Sequence, residues 1–180
     1  VGFANSCTLY ATNCSGSNLL QPIQKVSYSA TNTTSSSTPV IAISATIDDN
    51  VRFCSVHEDG TASCWGRQDS AELGNGYISN YQYTPSFVVM PSGSGAIISM
   101  ELLGSHSCAL MDDGDVYCWG RNYNGELGDG TTCLSGDFEN NCNGDGVKPL
   151  AYDPVVLPSG TKAISMTTYD WDNVCALLDN

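Results

Sequence analysis

The chain has 180 residues, six basic against nineteen acidic, and a formal net charge of −13. That length supports a core of ordinary domain size. The charge argues against a nucleic-acid partner, which needs clustered Lys and Arg, and against an anionic membrane surface. No apolar run approaches the length of a membrane span, so no membrane insertion is expected.

Nine cysteines, few lysines and many small polar residues point to a secreted or cell-surface protein in an oxidising compartment. Residue 1 is Val rather than Met, which leads to the expectation of a processed or partial chain.

Residues 1–40 open with Asn5-Ser6-Cys7-Thr8-Leu9 and carry two glycosylation sequons. These are Asn13-Cys14-Ser15 and Asn32-Thr33-Thr34, so Asn32 and Asn13 are the candidate glycan sites. The Ser/Thr tract from Thr31 to Thr38 is either a flexible loop or an O-glycan carrier.

Residues 41–96 form a first clear unit. Ile41 to Ala45 reads as an apolar strand, and Val51 to His57 as a second. Glu58-Asp59-Gly60 is a turn signal, and Thr61 to Trp65 is the return strand. A three-residue loop ending in a left-handed Gly60 sets Cys54 opposite Cys64, whereas a two-residue loop puts them on opposite faces. The unit continues through Trp65-Gly66-Arg67 to Glu72-Leu73-Gly74.

Residues 97–162 repeat this pattern at an offset of 54 residues, from Cys54 to Cys108. A fixed period of this size marks a repeat architecture. Cys108 faces Cys118 around Asp112-Asp113-Gly114 by the same count, and Glu126-Leu127-Gly128 follows. Trp65 and Trp119 recur in register and are expected in the core. Arg67 and Arg121 recur too, with Glu72 and Glu126 as expected ion-pair partners. An insertion at 132–148 has no counterpart in the preceding unit, and a local Cys133–Cys142 disulfide is its economical reading. The same economy pairs Cys7 with Cys14.

Residues 163–180 begin a further unit, with Cys175 in the phase of Cys54 and Cys108. The lead cysteines Cys7, Cys54, Cys108 and Cys175 are 47, 54 and 67 residues apart. By the internal spacing, a partner of Cys175 would stand at about position 185, so Cys175 is left over.

Cys-x9-Cys is not a zinc spacing, and His57 and His106 are isolated from it. No Cys-x-x-Cys exists. Asp and Asn alternate with Gly across 137–146 in a way that could hold calcium, but the spacing is not that of the twelve-residue calcium loop. The glycines after each Trp suit tight turns and close backbone approach, since no phosphate-loop Lys follows them. No nucleophile elbow or usable carboxylate pair is present; Asp112 and Asp113 sit in a turn where Asp is expected. No cofactor and no enzymatic activity are expected.

The run Cys-Ala-Leu-x-x-x-Gly-x-Val-Tyr-Cys-Trp-Gly-Arg-Asn, then Gly-Glu-Leu-Gly-Asp-Gly-Thr, spans Cys108 to Thr131. It resembles the regulator-of-chromosome-condensation repeat, and Cys54 to Tyr77 is a less perfect copy. The resemblance covers about Ile41 to Asn180 well and is weak from Val1 to Pro39. It implies an all-β fold, a β-propeller with about three blades present. The paired cysteines resemble the secreted variety of the repeat. The action of the family's nuclear member on a small GTPase and on chromatin does not carry over to so acidic a chain.

Three periods do not close a ring that this family builds from seven, so an open arc is expected, completed by further chain or another subunit. The functional expectation is an extracellular structural or adhesive module that self-assembles with other protein subunits into an appendage, fibre or matrix. The alternative is a propeller that binds one protein partner as inhibitor or receptor. Non-reducing peptide mapping should find Cys54–Cys64 and Cys108–Cys118 each within one hairpin. It should also find a glycan on Asn32; an unmodified Asn32 peptide from secreted protein would remove that site.

Overall fold

The computed structural model describes residues 38–46, 51–169 and 172–180. Every regular element among them is a β-strand, and every pairing is antiparallel. The first sheet has the order β1 (Val40–Ala45), β2 (Arg52–His57), β3 (Ala62–Gln68), β4 (Ser79–Phe87). The second has β5 (Ile97–Leu102), β6 (His106–Met111), β7 (Val116–Arg121), β8 (Val147–Lys148). A third has β9 (Ala163–Tyr169) paired with β10 (Asn173–Leu178). These are meanders, the strand order of propeller blades.

The local chemistry of each hairpin explains its register. His57 N donates to Thr61 O at 2.8 Å, and Gly60 N to His57 O at 2.9 Å. Gly60 takes φ +79°, which a side chain resists. Asp59 Oδ1 accepts from Thr61 N at 3.0 Å and from Thr61 Oγ1 at 2.7 Å, fixing the turn. The loop is therefore the three residues Glu58, Asp59 and Gly60, and Cys54 stands opposite Cys64. The second hairpin repeats this around Gly114, with Met111 N to Asp115 O at 2.9 Å and Cys108 opposite Cys118. Each cysteine pair is bridged, at Cα separations of 4.1 Å.

Neighbouring sheets are tied by backbone bonds that recur unit by unit. Ile97 N donates to Gly60 O at 2.9 Å, and Ala163 N to Gly114 O at 3.0 Å. Each turn thus holds the first strand of the next sheet. Within a sheet, Asp112 N donates to Ala96 O at 2.8 Å and Asp179 N to Lys162 O at 3.0 Å, closing the ends of the β5–β6 and β9–β10 pairs. The apolar residues fill two clusters between the sheets. One joins Cys54, Cys64 and Leu73 to Met100, Ala109 and Trp119. The other joins Cys108, Val116, Cys118 and Leu127 to Ala163, with Met166, Val174 and Leu178 at its margin. The second sheet thus makes a seam with a neighbour on each of its faces.

The insertion at 132–148 does more than loop out. It supplies β8, whose Val147 pairs with Arg121 and Lys148 with Gly120. β8 has two residues where β4 has nine. Backbone bonds such as Asn122 N to Gly146 O at 2.9 Å keep that short edge in place.

Gly66 and Gly120 sit where the third strand bends, at φ +117° and +112°. A Cβ on Gly120 would lie 2.7 Å from His106 Cα and from Ser105 O. Gly120→Ala should therefore destabilise by about 2–5 kcal/mol, combining backbone strain with a backbone clash. Gly93 has a comparable φ of +88° but open space around it. Gly93→Ala should cost only about 1–2 kcal/mol. Urea denaturation midpoints of the two variants check this ordering.

Candidate functional site: the seams and the exposed edge strand

Alternation along a strand sends adjacent residues to opposite faces. In β7, Cys118 faces the third sheet, and Tyr117 and Trp119 face the first. Trp119 is wholly buried, and its Nε1 donates to Glu72 O at 2.8 Å. Ser107 Oγ donates to the same carbonyl at 2.8 Å. Gly74 passes so close that an added Cβ would meet the indole at 2.6 Å. The Glu-Leu-Gly run of one unit is thus the receptor for the tryptophan of the next.

The Glu72 carboxylate holds this receptor in place. Its Oε2 accepts from Ser70 N at 2.9 Å and its Oε1 from Arg52 Nη1 at 3.1 Å. Arg52 is fully buried and also donates to Gly104 O of the next sheet at 3.2 Å. Burial pushes the Glu72 carboxyl above the usual carboxylate range, against the pull of the Arg52 charge. The sequence expectation needs two corrections here. Arg67 forms its ion pair with Asp69, and Glu72 is taken by Arg52 from another strand. Trp65 is only half-buried and stacks on Phe53 with ring centroids 5.6 Å apart, because it lies on the face of its sheet away from the Glu72 loop. Arg121 does approach Glu126, at 3.6 Å.

The second unit builds the same loop with different chemistry. Asn122 is fully buried; its Oδ1 accepts from Leu127 N at 3.1 Å, and its Nδ2 donates to Thr131 O at 3.2 Å. Lys148 Nζ donates to Asp129 Oδ2 at 2.6 Å, and both side chains are buried. Burial of Asp129 opposes its charge, but the bonds from Lys148 and Thr131 prevail and hold the carboxyl below its ordinary value. Between this loop and the β9–β10 hairpin lies a cavity of about 470 Å³, lined by Leu127, Gly128, Val155, Met166, Val174 and Ala176 among others.

The edge strand β4 presents a different surface. Tyr83 is 86% exposed, Phe87 65% and Tyr81 45%, and Tyr77 just before the strand is 72% exposed. Tyr81 and Tyr83 stack with ring centroids 6.0 Å apart. Among the described residues β4 pairs only with β3, so its outer edge is open.

Sequence reasoning left His57 and His106 isolated, and the structure treats them differently. His57 Nε2 lies 3.2 Å from Ser63 Oγ and 3.4 Å from Ser55 Oγ in a buried polar cluster. His106 is buried, neither ring nitrogen has a hydrogen-bond partner among the described residues, and burial lowers its pKa. No group of three or more His, Cys, Asp or Glu side chains able to hold a metal occurs among the described residues. In the 137–146 loop, Asp137 Oδ1 accepts from Glu139 N at 2.8 Å and Asn143 Oδ1 from Asp145 N at 2.9 Å, so those oxygens serve the loop's own turns.

The structure brings Cys133 and Cys142 together in a disulfide, with Cα atoms 5.6 Å apart. Cys175 is exposed and forms no disulfide among the described residues. Cys7, Cys14, Asn13 and Asn32 lie outside the described residues. The buried Arg52–Glu72 and Lys148–Asp129 pairs were missed from sequence. The signal for the second was a Lys beside an apolar Val147 in a chain poor in lysine. Arg52→Met should cost about 3–5 kcal/mol, because it strands a buried carboxylate. Arg52→Met with Glu72→Leu should recover most of that loss; thermal unfolding of the two variants reads the difference.

Comparison with known proteins follows this geometry. The family described as regulator of chromosome condensation (RCC1) repeat matches residues 104–126. The human E3 ubiquitin-protein ligase HERC2 is 35% identical over 75 residues, which is 42% of this chain and 2% of that protein. The X-linked retinitis pigmentosa GTPase regulator homolog of Caenorhabditis elegans is 33% identical over 73 residues, 41% of this chain and 5% of its own length. Among solved structures, human WBSCR16 superposes with a TM-score of 0.57 at 19% identity, over 80% of this chain and 33% of that one. Prp20p of Saccharomyces cerevisiae gives a TM-score of 0.50 at 21% identity, over 71% of this chain and 28% of that one. The chain therefore spans a twentieth or less of these curated relatives and about a third of these solved chains. Those structural likenesses speak to the fold, that of β-propeller blades, and the stretch 104–126 within it matches the regulator of chromosome condensation (RCC1) repeat.

Proposed function

We propose that this chain is a protein-binding propeller module that works outside the cell as a structural or adhesive element, by contact and not by turnover. The observation that carries the reading is the aromatic edge strand. Tyr81, Tyr83 and Phe87 crowd one strand, with Tyr77 just before it, and that strand's outer edge is unpaired among the described residues. Exposed tyrosines are rigid, amphipathic contact residues, and an open edge offers a ladder of backbone groups to a partner strand. The three hairpin and loop disulfides support an oxidising compartment. The charge of −13 supports solubility of the unassembled chain.

A second reading, a receptor or inhibitor for one protein partner, is supported by the similar yeast propeller. Prp20 is seen bound to Kap60, and its described binding properties concern Gsp1p and histones. Sedimentation velocity of the secreted chain separates the two readings. The structural reading expects association that grows with concentration and weakens about ten-fold or more in Tyr81→Ser/Tyr83→Ser. A chain that stays monomeric at every concentration overturns self-assembly and leaves the single-partner reading in its place.

A further inference from the structure

We propose that the occupant of the open β4 edge is β4 of a second copy of this chain. The two strands run antiparallel about a two-fold axis at Gln82, and Tyr81 and Tyr83 of each copy exchange backbone hydrogen bonds with Tyr83 and Tyr81 of the other. This rests on the assembly reading above and deepens it by naming the partner strand, its direction and its register.

Backbone alternation fixes which groups of β4 face outward. Arg67 N donates to Val51 O at 3.2 Å, so the Arg67 backbone faces β2 and that of its neighbour Gly66 faces β4. Gly66 stands opposite Gln82, so Gln82 turns its N–H and C=O toward β3. Tyr81 and Tyr83, on either side of it, turn theirs to the edge that is open among the described residues. Farther along, Val88 N donates to Ala62 O at 2.9 Å, so Ser86 also faces inward, and Phe87 and Pro85 face outward. Pro85 has no N–H to give, so it blunts that half of the edge.

Two copies of one edge can meet in two ways. A two-fold axis normal to the sheet sets the strands antiparallel and keeps the side chains of both copies on common faces. An axis along the strand sets them parallel and sends equivalent side chains to opposite faces. Tyr81 and Tyr83 share a face, with their rings stacked 6.0 Å apart. Phe87 lies on that face too, because its β3 partner Ser63 has the same parity as Arg67, the partner of Tyr81. Only the antiparallel arrangement joins the two aromatic rows into one patch.

Pro85 and the tyrosines then select the register. With the axis at Gln82, Tyr81 stands opposite Tyr83 of the second copy, twice over, and Pro85 falls at the end of the paired run. An axis at Tyr83 or Thr84 would set Pro85 opposite Tyr81 or Tyr83 and lose backbone bonds. An axis at Tyr81 would set Tyr83 opposite Ser79 and lose the aromatic pairs.

Charge is what commits the edge to a copy of this chain. No charged residue stands between Glu72 and Glu101, in a chain of net charge −13. Two such chains repel on most approaches, and the repulsion reaches about 8 Å at physiological salt. β4 lies inside the uncharged run, so two copies meet there at the least electrostatic cost. A basic partner would be drawn to the acidic surfaces instead. Lone edges are commonly guarded by Lys or other charges, and β4 carries none.

Gln82→Glu and Gln82→Lys test the pairing, because Gln82 is the residue that meets its own copy across the axis. Sedimentation velocity of the unaltered chain should show a monomer–dimer equilibrium that stops at two, since an isologous contact closes on itself. Each variant alone should dimerise less tightly by about three-fold or more, with like charges directly opposite. The lysine variant is the sharper case: it lowers the net negative charge, which under general repulsion alone would tighten association. An equimolar mixture of the two variants should dimerise several-fold more tightly than either alone, a rescue that misfolded variants could not give. Association left unchanged by both substitutions would overturn this pairing and leave the assembly reading in place. A mixture no tighter than its components would overturn it as well. A chain that is monomeric at every concentration overturns both.

Discussion

A sheet of four short strands cannot bury both its faces by itself, and this molecule is organised around that deficit. The decisive contact is Trp119 against the Glu72 carbonyl and the bare backbone of Gly74. It joins the third strand of one unit to the loop of the unit before, across a buried seam. Everything nearby serves that contact. Ser107 shares the carbonyl, Arg52 anchors the Glu72 side chain, and the same Arg52 reaches Gly104 on the far side. Dispersion and hydrophobic burial supply the attraction, and the hydrogen bonds set the register. The Arg52–Glu72 ion pair is better read as a locator than as a large source of stability, since burying both charges costs much of what their attraction returns.

The two units solve one problem with different residues. The first positions its loop with Gln68 bonded to Ser79 Oγ at 2.7 Å and with the Arg52–Glu72 pair. The second uses Asn122 and the Lys148–Asp129 pair, and its Glu126 turns to the half-exposed Arg121. Lys148 reaches Asp129 because the insertion brings β8 to the sheet edge. A disulfide-closed loop thus replaces the length of β4 as the means of fixing a fourth strand.

Much of the fold was legible because the period repeats local signals. Asp-Gly turns, paired cysteines and Trp-Gly-Arg each constrain a few neighbouring residues, and their recurrence fixes the strand order. The seam chemistry was harder to read. Arg52 and Glu72 are 20 residues apart, and Trp119 and Glu72 are 47 apart. Proximity in sequence favoured Arg67 as the partner of Glu72, yet a β-strand sends Arg67 to Asp69 instead. Trp65 and Trp119 are equivalent by sequence, but burial depends on what lies across the sheet, which composition does not encode. The exposed aromatics of β4 also escaped notice, because edge and interior strands of a meander carry similar residue types.

The disulfides of the hairpins have a consequence for how such a chain matures. The two hairpin bridges each close over ten residues, between strands already set opposite one another by a glycine turn, and the third closes over nine within the 132–148 loop. Six cysteines could in principle pair in 15 ways. In both hairpins the right partner is delivered first, as soon as a single turn has formed. Oxidation can then proceed one unit at a time, without waiting for distant segments. Non-native pairing between units is disfavoured by timing as well as by geometry, so a long array of such units needs no more reshuffling by an isomerase than a short one.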